Sequence, residues 1–166
     1  PNTKYLAAWV CSTCGHRWKT MLYNRANPSG SRCPVCTRSI PTDENNLAAK
    51  RPDLAALWHP TRNGRITPSQ VMPQSNKRWW WLCEKGHEWQ GAPNSMSKTP
   101  VARLCPYCRN DKVCDDNCLS TIDAELAAQW HPTKNGNLTP HDVTATSPRR
   151  VWWLCAQGHT FCASVY

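Results

Sequence analysis

Phenylalanine occurs once in this 166-residue chain, and no stretch approaches the roughly 18 to 20 consecutive apolar residues of a membrane span. With 14 Pro and 10 Trp beside that single Phe, the composition is poor material for one large apolar core. Acidic residues are also missing where they would matter. The first forty residues hold Lys4, Arg17, Lys19, Arg25, Arg32 and Arg38 and no Asp or Glu, within a formal net charge of +9. An acidic partner-binding surface is therefore excluded there, and a polyanion is the expected partner. The opening Pro1-Asn2-Thr3-Lys4 lacks the pattern of a secretory signal. The chain is expected to be a piece of a longer protein.

Cysteine is plentiful instead, and it repeats. Trp58-His59-Pro60-Thr61-Arg62-Asn63-Gly64 returns 72 residues later as Trp130-His131-Pro132-Thr133-Lys134-Asn135-Gly136. Cys11, Cys83 and Cys155 keep the same interval, and Cys33-Pro34-Val35-Cys36 recurs as Cys105-Pro106-Tyr107-Cys108. Tandem copies of one small cysteine-bearing module are the simplest reading. Three are expected: residues 1–46, 47–118 and 119–166, with the first and last incomplete.

Small modules need a staple, and 11 cysteines could supply disulfides or metal sites. An odd count, C-x-x-C pairs and His at a fixed offset from Cys favour zinc. A reducing, intracellular compartment follows as an expectation: cytoplasm, nucleus or organelle matrix. The middle module offers Cys83, His87, Cys105 and Cys108, four ligands for a closed tetrahedral site. The first offers Cys11, Cys14, Cys33 and Cys36, with His16 as a fifth candidate. Cys14 is preferred, because a thiolate binds zinc more strongly than imidazole and C-x-x-C-G is the usual knuckle. Cys155 and His159 open a third site for which no C-P-x-C follows. Zn2+ in two complete sites and one half site is the expectation. Cys114, Cys118 and Cys162 lack repeat partners and read as free thiols, with Cys162 a lesser candidate to help the third site. Replacing Cys118 should be nearly silent.

Local pattern supplies the rest. Alanine- and leucine-rich runs ending in Trp-His-Pro predict one or two helical turns stopped by proline, and Asn-Gly a tight turn. Trp-Trp-Leu-Cys-x-x-Gly-His predicts a strand entering a metal knuckle. Residues 73–77 and 91–100 read as loops. Trp58, Trp130, Trp81, Trp153, Trp18 and Trp89 repeat and are expected to form a minimal core around each metal, whereas Trp79 faces Val151 at its repeat position and is expected as a surface ring. His59 and His131 are expected to stabilise a turn, since no acidic partner for a catalytic metal accompanies them. With so little core, each module is expected to unfold on chelation.

The string Leu-Ala-Ala-x-Trp-His-Pro-Thr-Lys-Asn-Gly-x-Leu-Thr-Pro, then Trp-Trp-x-Cys-x-x-Gly-His, then Cys-Pro-Tyr-Cys, resembles the tandem treble-clef zinc-finger family. The resemblance covers nearly the whole chain. It implies a small zinc-stabilised α+β fold of treble-clef or zinc-ribbon-like modules, each a short β-hairpin and a short helix with little other regular structure. It also implies arrays, sometimes joined to nuclease-like domains, and a nucleic-acid role. The first knuckle departs from the histidine version of the pattern, and the third lacks its second half.

Function is then expected to follow charge. Arg17, Lys19, Arg25 and Arg32 in the first module, Lys77, Arg78, Trp79 and Lys85 in the second, and Arg149 and Arg150 before the third are the candidate contacts to DNA or RNA. The alternative is a structural zinc component of a ribonucleoprotein or polymerase-type assembly. A zinc nuclease is less favoured, because the metal sets are filled by protein ligands and leave no open position; no enzyme is expected.

Overall fold

Among the described residues, strands of four or five residues and single-turn helices are all that this proline-rich sequence sustains. The computed structural model describes residues 5–26 and 30–166, so Lys4 lies outside the described residues. In chain order, β1 (Leu6–Val10) pairs antiparallel with β2 (Arg17–Met21), setting Trp9 opposite Trp18, and α1 (Leu22–Ala26) follows. Then come α2 (Leu47–Lys50), α3 (Pro52–Ala55), β3 (Trp79–Leu82), β4 (Glu88–Gly91) and α4 (Pro93–Met96). The last stretch repeats that order with α5 (Leu119–Ile122), α6 (Ala124–Ala127), β5 (Arg150–Leu154) and β6 (Thr160–Ser164). Three two-stranded sheets result: β1–β2, β3–β4 and β5–β6.

Proline and caps explain the short helices. Pro52 cannot continue α2, and it pushes Arg51 out of helical geometry to φ −141°, so the chain restarts as α3. Asn46 caps α2 by accepting from the Ala49 amide at 2.8 Å, and Asp123 caps α6 by accepting from Leu126 at 2.9 Å. The predicted loop 91–100 contains α4 instead, started by Pro93, which suits the first helical position because it has no amide to leave unpaired.

The chain divides into two compact units, Pro1–Glu84 with Gln90–Lys98, and Lys85–Trp89 with Thr99–Tyr166. In the first, Leu47, Leu54, Val71, Trp79, Trp81 and Met96 are buried. In the second, Leu119, Val143, Val151, Trp153 and Val165 form the core, with Leu126, Trp130 and Leu138 packed against it. The indole of Trp58 meets Trp81 edge-on, centroids 5.2 Å apart and planes at 88°, and Trp130 meets Trp153 at 5.5 Å and 82°. Both are favoured edge-to-face arrangements. Trp89 is buried as expected.

Trp79 corrects the sequence reading. Side chains two apart on a strand share a face, so burying Trp81 also turns Trp79 inward. It is 9% exposed, 5.2 Å from the Trp58 ring, in the place that Val151 takes in the other copy. The outward ring of β3 is Trp80.

The Trp-His-Pro segment docks on β3 as a short extra strand. The His59 amide donates to the Trp80 carbonyl at 3.1 Å, and the Leu82 amide to Leu57 at 2.8 Å. Asn63 extends this ladder with its side chain: its Nδ2 donates to the Trp80 carbonyl, and its Oδ1 accepts from the Trp80 amide, both at 2.9 Å. Asn135 makes the same pair with Trp152 at 2.8 and 2.7 Å. His59 Nδ1 accepts from the Thr61 and Arg62 amides, and His131 Nδ1 from Thr133 and Lys134. These histidines hold a turn, as the sequence suggested. Replacing Asn63 by Ala should cost about 1 to 3 kcal/mol, because it leaves the Trp80 amide unpaired while the Trp80 carbonyl keeps only the His59 amide. Denaturant unfolding followed by tryptophan emission checks this, with Asn63→Asp expected to be intermediate.

Candidate metal centre

Each knuckle begins where a strand turns back at a glycine. The Cys11 amide donates to the His16 carbonyl and the Gly15 amide to Cys11, both at 2.9 Å. Gly15, Gly86 and Gly158 stand at φ of 72°, 83° and 83°, in the left-handed region where a side chain is strained. The C-P-x-C halves close in the same way as each other. Thr37 and Arg109 amides donate back to Cys33 and Cys105, and the next residues, Arg38 and Asn110, take positive φ of 54° and 63°.

These turns bring four thiols together in the first module: Cys11, Cys14, Cys33 and Cys36. Cys11 to Cys36 and Cys14 to Cys33 are 3.6 Å between sulfurs, and Cys36 to Cys14 is 3.4 Å. Zinc–sulfur bonds of about 2.3 Å in a tetrahedron place sulfurs about 3.8 Å apart, so the set fits zinc. All the cysteines are free rather than paired as disulfides. His16 is outside the set, its ring stacked on Trp18 at 6.1 Å, which leaves Cys14 as the ligand. The Cys14 and Thr13 amides draw the Cys11 thiol down to about 6, while hydrogen bonds to Cys14 and Cys11 push Cys36 up to about 12. Four sulfurs this close cannot all ionise alone, and a dication is the group that resolves the conflict.

The second set is Cys83, His87, Cys105 and Cys108, also close enough for one ion. His87 turns Nδ1 to Cys108 at 3.3 Å and Cys105 at 3.5 Å, which makes Nδ1 the ligand atom. Its other nitrogen, Nε2, lies 2.9 Å from Asp116 Oδ2. Asp116 accepts in turn from Cys114 Sγ at 2.8 Å, and Cys114 is pushed up to about 11 by burial and that carboxylate. His87, Cys114 and Asp116 thereby form a partial third set. It shares its histidine with the complete one, so the carboxylate fixes the ring tautomer and aims Nδ1 at the metal. Sequence reasoning missed Asp116 and left Cys114 as a plain thiol. The repeat gave half a signal: Glu44 keeps an acid at the place of Asp116, but Thr42 stands where Cys114 does.

Cys155 and His159 adopt the knuckle: the Cys155 amide donates to His159 at 3.0 Å and the Gly158 amide to Cys155 at 2.9 Å. Among the described residues no further metal-capable side chain joins them. Cys162 sits on β6 opposite Trp152. Cys118 is buried at the start of α5, next to Thr121 and His141.

Of the basic candidates, Arg17, Lys19, Arg32, Lys85 and Arg149 are exposed. Arg25 lies over Trp9 and Trp18 at 5.5 and 5.9 Å, and the Lys77 ammonium over Trp79 at 4.3 Å. Arg78 and Arg150 donate to the Gln90 and Cys162 carbonyls while remaining exposed.

Dependence on metal differs along the chain. From Tyr5 to Ile40 the only buried side chain among the described residues is Cys33, whereas the core around Trp153 contains no metal ligand. Stripping zinc with a chelator should therefore disorder the first module and leave the Trp153 core folded. Amide exchange resolved by segment reads this out. Cys105→Ser should lower bound zinc from two ions to one per chain, and Cys118→Ser should leave it at two.

A comparison with curated proteins finds no match. A family model described as a probable treble clef zinc finger domain matches residues 1–39, 54–111 and 126–166, three repeats that take in most of the chain. Their paired knuckles are the sites described above, and the protein belongs to this treble clef zinc finger family.

Proposed function

We propose that the chain binds nucleic acid, with zinc serving to hold the modules in shape and the exposed cations meeting phosphates. The observation that carries this reading is the placement of positive charge around the knuckles within a net charge of +9. Arg17 and Lys19 alternate on the exposed face of β2, directly after the first knuckle, and Arg32 precedes its second half. Lys77 and Lys85 flank the second site, and Arg149 precedes β5. Cations fixed on a stapled hairpin lose little freedom on meeting a phosphate, so each contact retains most of its electrostatic gain.

The chemistry of the sites supports binding over catalysis. Four protein ligands close each complete set and leave no coordination position for a substrate or an activated water. His59 and His131 use Nδ1 to hold backbone amides. No helix among the described residues is long and apolar enough to cross a membrane.

Fluorescence anisotropy with labelled duplex DNA, oligo(dT) and a structured RNA, across a salt series, tests the proposal. Affinity should fall linearly on a log–log plot. Arg17→Ala with Lys19→Ala should flatten the slope by about 1.8 on duplex DNA and about 1.4 on oligo(dT), since each lost phosphate contact removes about 0.9 or about 0.7. Binding indifferent to salt overturns the proposal. Absence of binding to free oligonucleotides, with stoichiometric recovery in a ribonucleoprotein particle, replaces it with the assembly-component reading.

A further inference from the structure

The outward faces of β3 and β5 carry side chains that neither the zinc sites nor the cores use. Strand alternation sends Trp79 and Trp81, and Val151 and Trp153, inward, so Arg78 and Trp80, and Arg150 and Trp152, point the other way. Trp152 is 38% exposed and outside the cluster around Trp153. Trp80 is half-buried, and a cation lies over one face of each outward indole, so that a base would take the other: the Arg62 guanidinium lies 4.4 Å from the Trp80 centroid, and the Lys134 ammonium 4.8 Å from that of Trp152.

From this arrangement, and resting on the nucleic-acid reading above, we infer that Trp80 and Trp152 are stacking platforms for unpaired nucleobases. The polyanion the chain takes is then single-stranded nucleic acid rather than a duplex.

Three features carry the inference. First, the two copies keep the arrangement while drifting elsewhere. Trp79 becomes Val151, Arg51 becomes Asp123 and Asn46 becomes Cys118, yet the outward Trp, the Arg two residues before it and a capping cation all return. An indole needed only for core volume would sit on the inward face, where the substitution of Trp by Val did occur. Second, both rings are pre-positioned, because Asn63 and Asn135 clamp the amide and carbonyl of Trp80 and Trp152. A ring whose backbone is already fixed gives up less entropy on stacking. Third, the neighbouring charges suit a nucleotide. Arg78 and Arg150 stand two residues up the strand, about 7 Å away, within reach of the phosphate of a base lying on the ring. Duplexes hide their base faces, whereas single-strand binders set aromatic rings on strands among cations.

The test uses the zinc-loaded full chain with fluorescein-labelled oligo(dT) and a duplex of equal length at fixed salt. Wild-type chain should prefer oligo(dT). The W80A/W152A double variant should lose roughly 100-fold in oligo(dT) affinity and change less than twofold on the duplex. Its salt slope and its two zinc ions should be retained. W80F/W152F, which keeps a stacking ring, should recover most of the loss and controls for damage to the fold. Unchanged oligo(dT) affinity in W80A/W152A, or equal loss on both ligands, overturns the stacking role while salt-dependent wild-type binding leaves the phosphate-binding proposal standing. No binding by wild type to either ligand overturns both.

Discussion

The edge of one indole against the face of another organises the second and third modules. Trp58 against Trp81, and Trp130 against Trp153, fasten the Trp-His-Pro segment to the central strand. Once that contact is made, strand alternation leaves no freedom. Trp79 and Val151 must turn inward beside the buried ring, and Trp80 and Trp152 must turn outward. The same docking brings Asn63 and Asn135 alongside the strand, where one amide side chain pairs with both polar groups of a residue. A chain with a single Phe thus obtains a core from a few large rings, four of them with a hydrogen-bond partner for the N–H: Trp58 to Ile66, Trp81 to Gly91, Trp130 to Leu138 and Trp153 to Ala163. Trp79 lacks one, and its buried indole N–H is a local cost in the one place where the two cores differ most.

Metal and core share the stabilisation unequally. The hairpin of β1 and β2 has Trp9 facing Trp18 under Arg25, but the indole N–H groups of both rings are buried without partners. Its four-sulfur site is therefore the main tie for that segment. By contrast, the α5–β6 stretch buries Leu119, Val143, Val151, Trp153 and Val165 with no metal ligand among them. The plain expectation that every module collapses without zinc treats as equal what the distribution of apolar side chains makes unequal.

Much of this was legible in the sequence, and the misses have identifiable causes. The repeat interval located the knuckles, because Cys and His at fixed offsets leave few other chemistries, and the preference for Cys14 over His16 followed from ligand strength. The turn role of His59 and His131 followed from proline and Asn-Gly alongside. Trp79 was misread because comparison between copies was weighed above alternation within a strand. Val151 opposite Trp79 suggested tolerance, hence the surface, whereas both residues fill one inward position of different volume. Asp116 was only half legible. Glu44 keeps an acid at its repeat position, but the role of Asp116 depends on His87 presenting Nε2 toward a segment 29 residues away, a juxtaposition that local pattern does not encode.

The half site at Cys155 shows how these knuckles come to be ready for metal. Gly158 takes the same φ of 83° as Gly86 in the complete site, and the backbone bonds between Cys155, Gly158 and His159 close as they do between Cys11, Gly15 and His16. The bend is thus specified by glycine and the strand ends, whether or not a C-P-x-C pair lies opposite. A metal ion meeting such a half site finds the backbone of its first ligands already bent, and that part of the ordering entropy has been met by the fold. Where the second pair is present, the remaining cost is that of gathering four thiols, visible in Cys36, which its hydrogen bonds to Cys14 and Cys11 push up to about 12. That cost is what a divalent cation offsets. The two modules with complete sites are accordingly backbone-shaped and metal-locked, whereas the Trp153 module is held by its core.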